Sequence, residues 1–579
     1  MHIIARLETP QAGTSVPILA CSGQASRRTA RHERMLYFRS PTPWRLFGAG
    51  GRPVTQSVEA LVRETVEAVR PLDKAYQLAE WDSAVSGTPE ANRRNQEAQA
   101  TWMRFWADRN LYAQARRLHD SRAAKDPLLA RQLKLVYLTA ARNQQDDATI
   151  DELTRLEADV RAKYVNFRGR VGGKELNDNE IEAILHKSKD SVEVREAWEA
   201  SKQVGGQVAE SVRQLARVRN AAARAQGFRD HFQRSLTLDE IDENELLSLF
   251  ADLEYATRKP FQALKERIDG LRAAHFGIPR ADLRPWHYGD RFFQEVPQLG
   301  EVDMDGLFEG KDLVALATAT YDGLGLEVRD IVARSDLYAR PGKNQHAFCI
   351  HIDREGDVRT LNNLVPNKRW ASTILHELGH GVYDKYIDRD LPWMLRQPAH
   401  TLSTEAIAQL MGGLTSEPAW LSGILGLSKQ QANRLSTQAR DHERAARLIF
   451  TRWCLVMTYF ELAMYSDPER DLDTLWWDLV ERYQMVRRPE VRRQPDWAAK
   501  IHIALAPVYY QNYELGFLVA HQFEDRLKRT AGGIVGQKKA GRWLLERVFK
   551  PGAKEDWAGH VRSATGEALT PKYFVRAVS

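Results

Sequence analysis

The chain has 579 residues, 43% of them hydrophobic and 28% charged, with a formal net charge of +6. That length suffices for a large buried core, while the charge is too small and too dispersed for a nucleic-acid-binding surface. Cys21, Cys349 and Cys454 lie far apart without C-x-x-C spacing, which excludes a disulfide framework and a thiolate metal site, and no run of 18 apolar residues is present to span a membrane.

The first predicted segment is a basic extension over residues 1–54. Within its first fifty residues Arg6, Arg27, Arg28, Arg31, Arg34, Arg39 and Arg45 face only Glu8 and Glu33, a composition expected to be disordered. The ILAC at 18–21 is a weak echo of a lipoprotein signal, and the acid-poor composition echoes an organelle transit peptide. The missing apolar signal core sets the cytoplasm slightly ahead of both.

From residue 55 to the end the pattern is helical. Val58, Leu61, Val62, Thr65 and Val66 recur at three and four spacing, and EANRRNQEAQATWMRFWADRNLYAQARRL continues the run. Further amphipathic segments follow at LLARQLKLVYLTAAR, IDELTRLEADVRAKYV, VREAWEASKQVGGQVAESVRQLARVRNAAARAQGF and ENELLSLFADLEYATRKPFQALKERIDGLRAAHFG. Prolines and glycines collect at 275–301 and 339–343. QHAFCIHID (345–353) alternates instead, with Phe348, Ile350 and Ile352 on one side. The REGD turn and VRTLNN behind it make a short hairpin. Helices resume at about 368. The expectation is one all-α domain over 55–579 with a small β-hairpin.

ILHELGHGVY (374–383) carries the chemistry. His376 and His380 are four apart, so a helix projects both imidazoles from one face toward a single ion. Glu377 is swung to the side, where it can take the proton of an attacking water. H-E-x-x-H arises by chance on the order of a few times per hundred such chains, so further signals are needed. Gly379 and Gly381 inside a helix cost roughly 1 kcal/mol each relative to alanine, which asks for a close approach. A catalytic zinc also needs a third protein ligand. Glu405, 25 residues past His380 and set among Leu402, Ala406 and Leu410, is the candidate.

HELGHGVY followed by TEAIA (404–408) resembles the angiotensin-converting-enzyme-like zinc peptidases, with their H-E-x-G-H-x-x-Y and H-E-A-I-G-D segments. QHAFC (345–349) is similar to the family's C-H-A-S-A strand, TLWWDLVERYQ (474–484) to its E-W-W segment, and KIHIALAPVYYQNYELGFLVAHQF (500–523) to its K-F-H-I-P helix region. The resemblance is strong over roughly 340–525. It implies an all-α fold split by a deep cleft, one Zn2+, and release of dipeptides from the carboxyl ends of short unfolded peptides. It implies His376, His380 and Glu405 as metal ligands and Glu377 as general base. It also implies His502 and Tyr513 at the oxyanion, Lys500 and Tyr510 on the substrate carboxylate, and His346 with the Ala347 backbone holding the peptide as an added strand.

Several positions depart from the family pattern. The His380–Glu405 spacing is one residue longer and equals that of the related thimet-oligopeptidase-like family. The spacing from His502 to the tyrosines is also one longer. Thr404 and Gln409 replace a histidine and an aspartate around the ligand, which changes the outer support of the metal. Ungapped projection puts Gly306 at a carboxylate-binding glutamine and Asn512 at a chloride-binding arginine, so chloride dependence is not expected. The reading is a zinc metallopeptidase of peptidyl-dipeptidase type. The alternatives are an oligoendopeptidase and, from another class, a catalytically silent helical peptide-binding protein. The sequence leaves the oligomeric state open.

Overall fold

A computed structural model describes residues 57–297 and 304–579; the expected basic extension at 1–54 lies outside them. Helices α1 (Val58–Ser86), α2 (Pro89–Trp106), α3 (Arg109–Asp120) and α4 (Pro127–Arg142) open the described chain. Ser57, Thr88, Asp108 and Asp126 each accept a first-turn backbone N–H, which fixes where each helix starts. The run through 90–118 that reads as continuous is therefore two helices. Asp108 captures the N–H groups of Asn110 and Leu111 and begins a new one.

Helices α5 (Asp147–Asn166), α6 (Asp178–Lys187), α7 (Ser191–Ala225), α8 (His231–Leu238) and α9 (Glu243–Phe276) complete the first half. Between α5 and α6 lies an unexpected hairpin, β1 (Gly169–Val171) with β2 (Lys174–Leu176). Its signal is the Gly-Gly pair: Gly172 and Gly173 have φ of +55° and +80°, which a two-residue hairpin turn demands.

The second half runs through α10 (Leu313–Leu324), α11 (Arg329–Arg334) and the expected hairpin, β3 (Phe348–His351) with β4 (Val358–Leu361). These strands pair antiparallel, Phe348 opposite Leu361 and His351 opposite Val358. Then come α12 (Lys368–Lys385), α13 (Thr401–Gly413), α14 (Pro418–Gly423), α15 (Lys429–Ser466), α16 (Leu472–Gln484), α17 (Ile501–Leu505) and α18 (Tyr510–Ala531), with three short helices after them. The fold is all-α with two small hairpins. Among the described residues no helix is long and apolar enough to cross a membrane.

One large core joins α7, α9, α12, α13, α15 and α18, through Trp198, Phe250, Leu378, Ile407, Trp453 and Leu518 among others. Helices α1 to α4 have their own smaller core, including Val62, Trp106, Leu111 and Val136. A third cluster pins α1 to β3, with Trp81 edge-on to Phe348 at 6.2 Å between ring centres. Cys349 and Cys454 are free, buried thiols. Trp476 and Trp477 are core residues.

Candidate active site

Asn367 caps α12 by accepting from the Trp370 N–H, and the helix then carries His376, Glu377 and His380. Gly379 explains how α13 reaches them. A Cβ there would stand 2.9 Å from Ala408 Cα, so the glycine lets the α13 backbone lie directly against α12. That contact brings Glu405 to the histidines. The ligand atoms of His376, His380 and Glu405 lie within 4.8 Å of one another. His376 Nε2 is 3.8 Å from Glu405 Oε2, and His380 Nε2 is 3.8 Å from Glu405 Oε1. Both imidazoles thus point at one carboxylate from outside hydrogen-bond range, which is the spacing an intervening cation fills.

The donor set fits zinc: two imidazoles and a carboxylate. Burial pushes the His376 imidazole down to about 4, which keeps it neutral, as a metal ligand must be. His380 Nδ1 lies 2.8 Å from Thr404 Oγ1. The threonine that replaces the family's histidine therefore orients the ligand ring itself. Glu377 is 6% exposed, and its Oε2 has no hydrogen-bond partner among the described residues. Burial, then the nearby Glu405 charge, raises its proton affinity well above the ordinary carboxylate range. Burial pushes Glu405 up to about 7. A divalent cation would draw both back toward the charged form.

These groups face a cavity of about 540 Å³, which His346, Ala347, His502, Tyr509 and Tyr513 also line. Every residue from His346 to His351 lines it. Strand side chains alternate between faces, so a continuous run means that an edge of the strand borders the cavity. A second cavity of about 540 Å³ adjoins the first, sharing Gln397, Thr401, Thr404 and Tyr509 and adding Asn512.

His502 is buried, and burial followed by the Lys500 charge pushes its imidazole down to about 3. The extra residue between His502 and the tyrosines is taken up by a loop in which Val508 has φ +54°, a strained value for a β-branched residue. Glu461 Oε1 accepts from the Val508 N–H at 2.7 Å and holds the loop. Tyr513 follows on α18, its ring 5.1 Å from that of Tyr509.

Lys500 and Tyr510 do not line the cavity with the histidines. Both are buried behind His502 and Tyr513. Lys500 Nζ donates to Gln294 Oε1 at 3.0 Å and lies over the rings of Phe292, Trp453 and Tyr510. The glutamine beside this lysine is Gln294, and Gly306 sits in a short turn at Asp305–Leu307. Lys202 of α7 approaches the same Phe292 ring at 3.3 Å. Arg492 pairs with Asp496 and packs over Trp198. Sequence reasoning also missed Tyr509, whose only signal is its place beside Tyr510, and Thr404 as a support for His380.

The profile of the angiotensin-converting enzyme peptidases (peptidase M2) matches residues 54–260 and 339–572. The chain belongs to that family. It is a zinc metallopeptidase, and peptides are its substrates. The match includes the amino-terminal helices, outside the 340–525 region where the sequence resemblance is strong. No curated protein matches the chain significantly.

Proposed function

We propose that the enzyme hydrolyses short, unfolded peptides and releases dipeptides from their carboxyl ends, with His376, His380 and Glu405 holding the metal. The observation that carries this reading is the convergence of those three ligand atoms beside the unpartnered Glu377 Oε2. Bound zinc supplies a Lewis acid that polarises the scissile carbonyl and makes a neutral-pH nucleophile of water. Glu377 takes the proton of the attacking water and hands it to the leaving amine. Tyr513 and His502 donate to the oxygen on which negative charge develops. His346 and Ala347, just before β3, hold the substrate backbone as an added antiparallel strand. Lys500, Gln294 and Tyr510 offer an ammonium, an amide and a hydroxyl for the terminal carboxylate.

The burial of Lys500 and Tyr510 away from the cavity favours a second reading, internal cleavage in the manner of an oligoendopeptidase. Mass spectrometry of the products from one decapeptide, with its carboxyl end free or amidated, separates the two. Dipeptide release, slowed by amidation, supports carboxylate anchoring. Equal cleavage of both forms at internal bonds rejects it.

A further inference from the structure

His376, His380 and Asp384 stand at four-residue spacing on α12, so Asp384 lies one turn beyond the metal ligands, about 6 Å along the helix axis. It lines the same cavity. Among the described residues its carboxylate makes no hydrogen bond or ion pair. The opposite charge that acts on it, Arg354, is not bonded to it: the Arg354 Nε is 3.3 Å from Asp73 Oδ2, and its guanidinium lies over Trp393. Arg396 and Arg70 share the Glu355 carboxylate. The titratable groups of β3 bring no cation, since burial holds His351 neutral, down to about 4, and raises the Cys349 thiol well above its usual range. Asp384 is therefore a carboxylate with no directly bonded cation, and it faces the space a substrate enters. Burial pushes Asp384 up to about 7, so it lacks the solvation or pairing that would settle its charge.

We propose that Asp384 determines specificity, selecting a lysine or arginine side chain on the amino-terminal side of the scissile bond. The assignment of side rests on the peptidase reading above, whichever bond is cut. A peptide added antiparallel to β3 runs from the His351 end toward the His346 end. Asp384 neighbours Cys349, so it meets residues that precede the cut. A cationic side chain there gains a charge-assisted hydrogen bond in a poorly solvated site.

The test uses the zinc-loaded enzyme and amino-terminally acetylated peptides that differ only by Lys or Gln at the first, second or third residue before the cut. At one of these positions Lys should raise kcat/KM by roughly tenfold over Gln. That ratio should shrink with added salt. Asp384→Asn should bring it close to one, and Asp384→Lys should reverse it in favour of Gln. Zinc content and circular dichroism show that the variants are folded, and the wild-type ratio and its salt dependence carry the test if they are not. Equal rates for Lys and Gln peptides overturn the proposal and leave the peptidase reading standing. So does a preference that survives in Asp384→Asn, or one that appears only when the amino terminus is left free. Cleavage of no peptide overturns both.

Discussion

The metal-side wall of the cleft and the cationic group behind it are both buried, but they differ in what completes them. On the wall, His376, His380 and Glu405 stand too far apart to hydrogen-bond, and Glu377 Oε2 has no partner among the described residues. Behind it, Lys500 already donates to Gln294 and packs against three aromatic rings. The first group is finished only by an ion and a water. The second is largely finished by protein. Changes to the wall should therefore act on metal and rate, and changes behind it on substrate anchoring and stability.

The largest effect that sharpens this contrast is at Tyr513. Replacing it with Phe removes one oxyanion donor and should lower kcat by about 10²–10³ with little change in KM. A change mainly in KM would move Tyr513 from the chemistry to the binding group, and a larger kcat loss in Tyr509→Phe would pass the oxyanion role to its neighbour. Thr404→Val comes next. It removes the oxygen 2.8 Å from His380 Nδ1 and should weaken zinc binding by about 10–100-fold, read by competition with a chelator. Unchanged affinity would mean that packing alone orients the ring. Lys500→Ala should be milder. It should reduce the advantage of free over amidated peptides, itself about tenfold, while kcat on amidated peptides changes little. A collapse of kcat on both would place Lys500 with the wall.

The smallest effect concerns stability. Burial pushes Glu461 and Glu514 up to about 8 each. The folded state then holds protons that the unfolded chain releases above about 4.3. Their contribution is fully present below that value and is lost as pH rises through about 8, by up to about 1.4 kcal/mol per pH unit for each group. Glu514→Gln should flatten the fall in Tm between pH 6 and 8.5. An equally steep fall in the variant would assign the slope to other groups.

Legibility in the sequence follows the range of the interactions. His376, Glu377 and His380 are fixed by helix periodicity within five residues, and the hairpin at 348–361 by strict alternation over a few more. Glu405 needs one tight helix contact, and Gly379 announces it by its cost. Gln294 and Lys500 are 206 positions apart and meet only because α7, α15 and the loops between them pack together, so no local pattern pairs them. The split at Asp108 was missed for a different reason. Periodicity carries across a one-residue cap, and only the capping bond reveals the break. Asp384 reads as an ordinary polar helix position until the fold places it in the wall of the cavity.

The central claim is that the ligands hold zinc while Glu377 does the proton chemistry beside it. Glu377→Gln separates the two. Metal analysis of the purified variant should find one zinc per chain, as in the wild type, while kcat on a short peptide falls by at least about 10³-fold. A variant that keeps its zinc and still cleaves at near the wild-type rate would contradict the account.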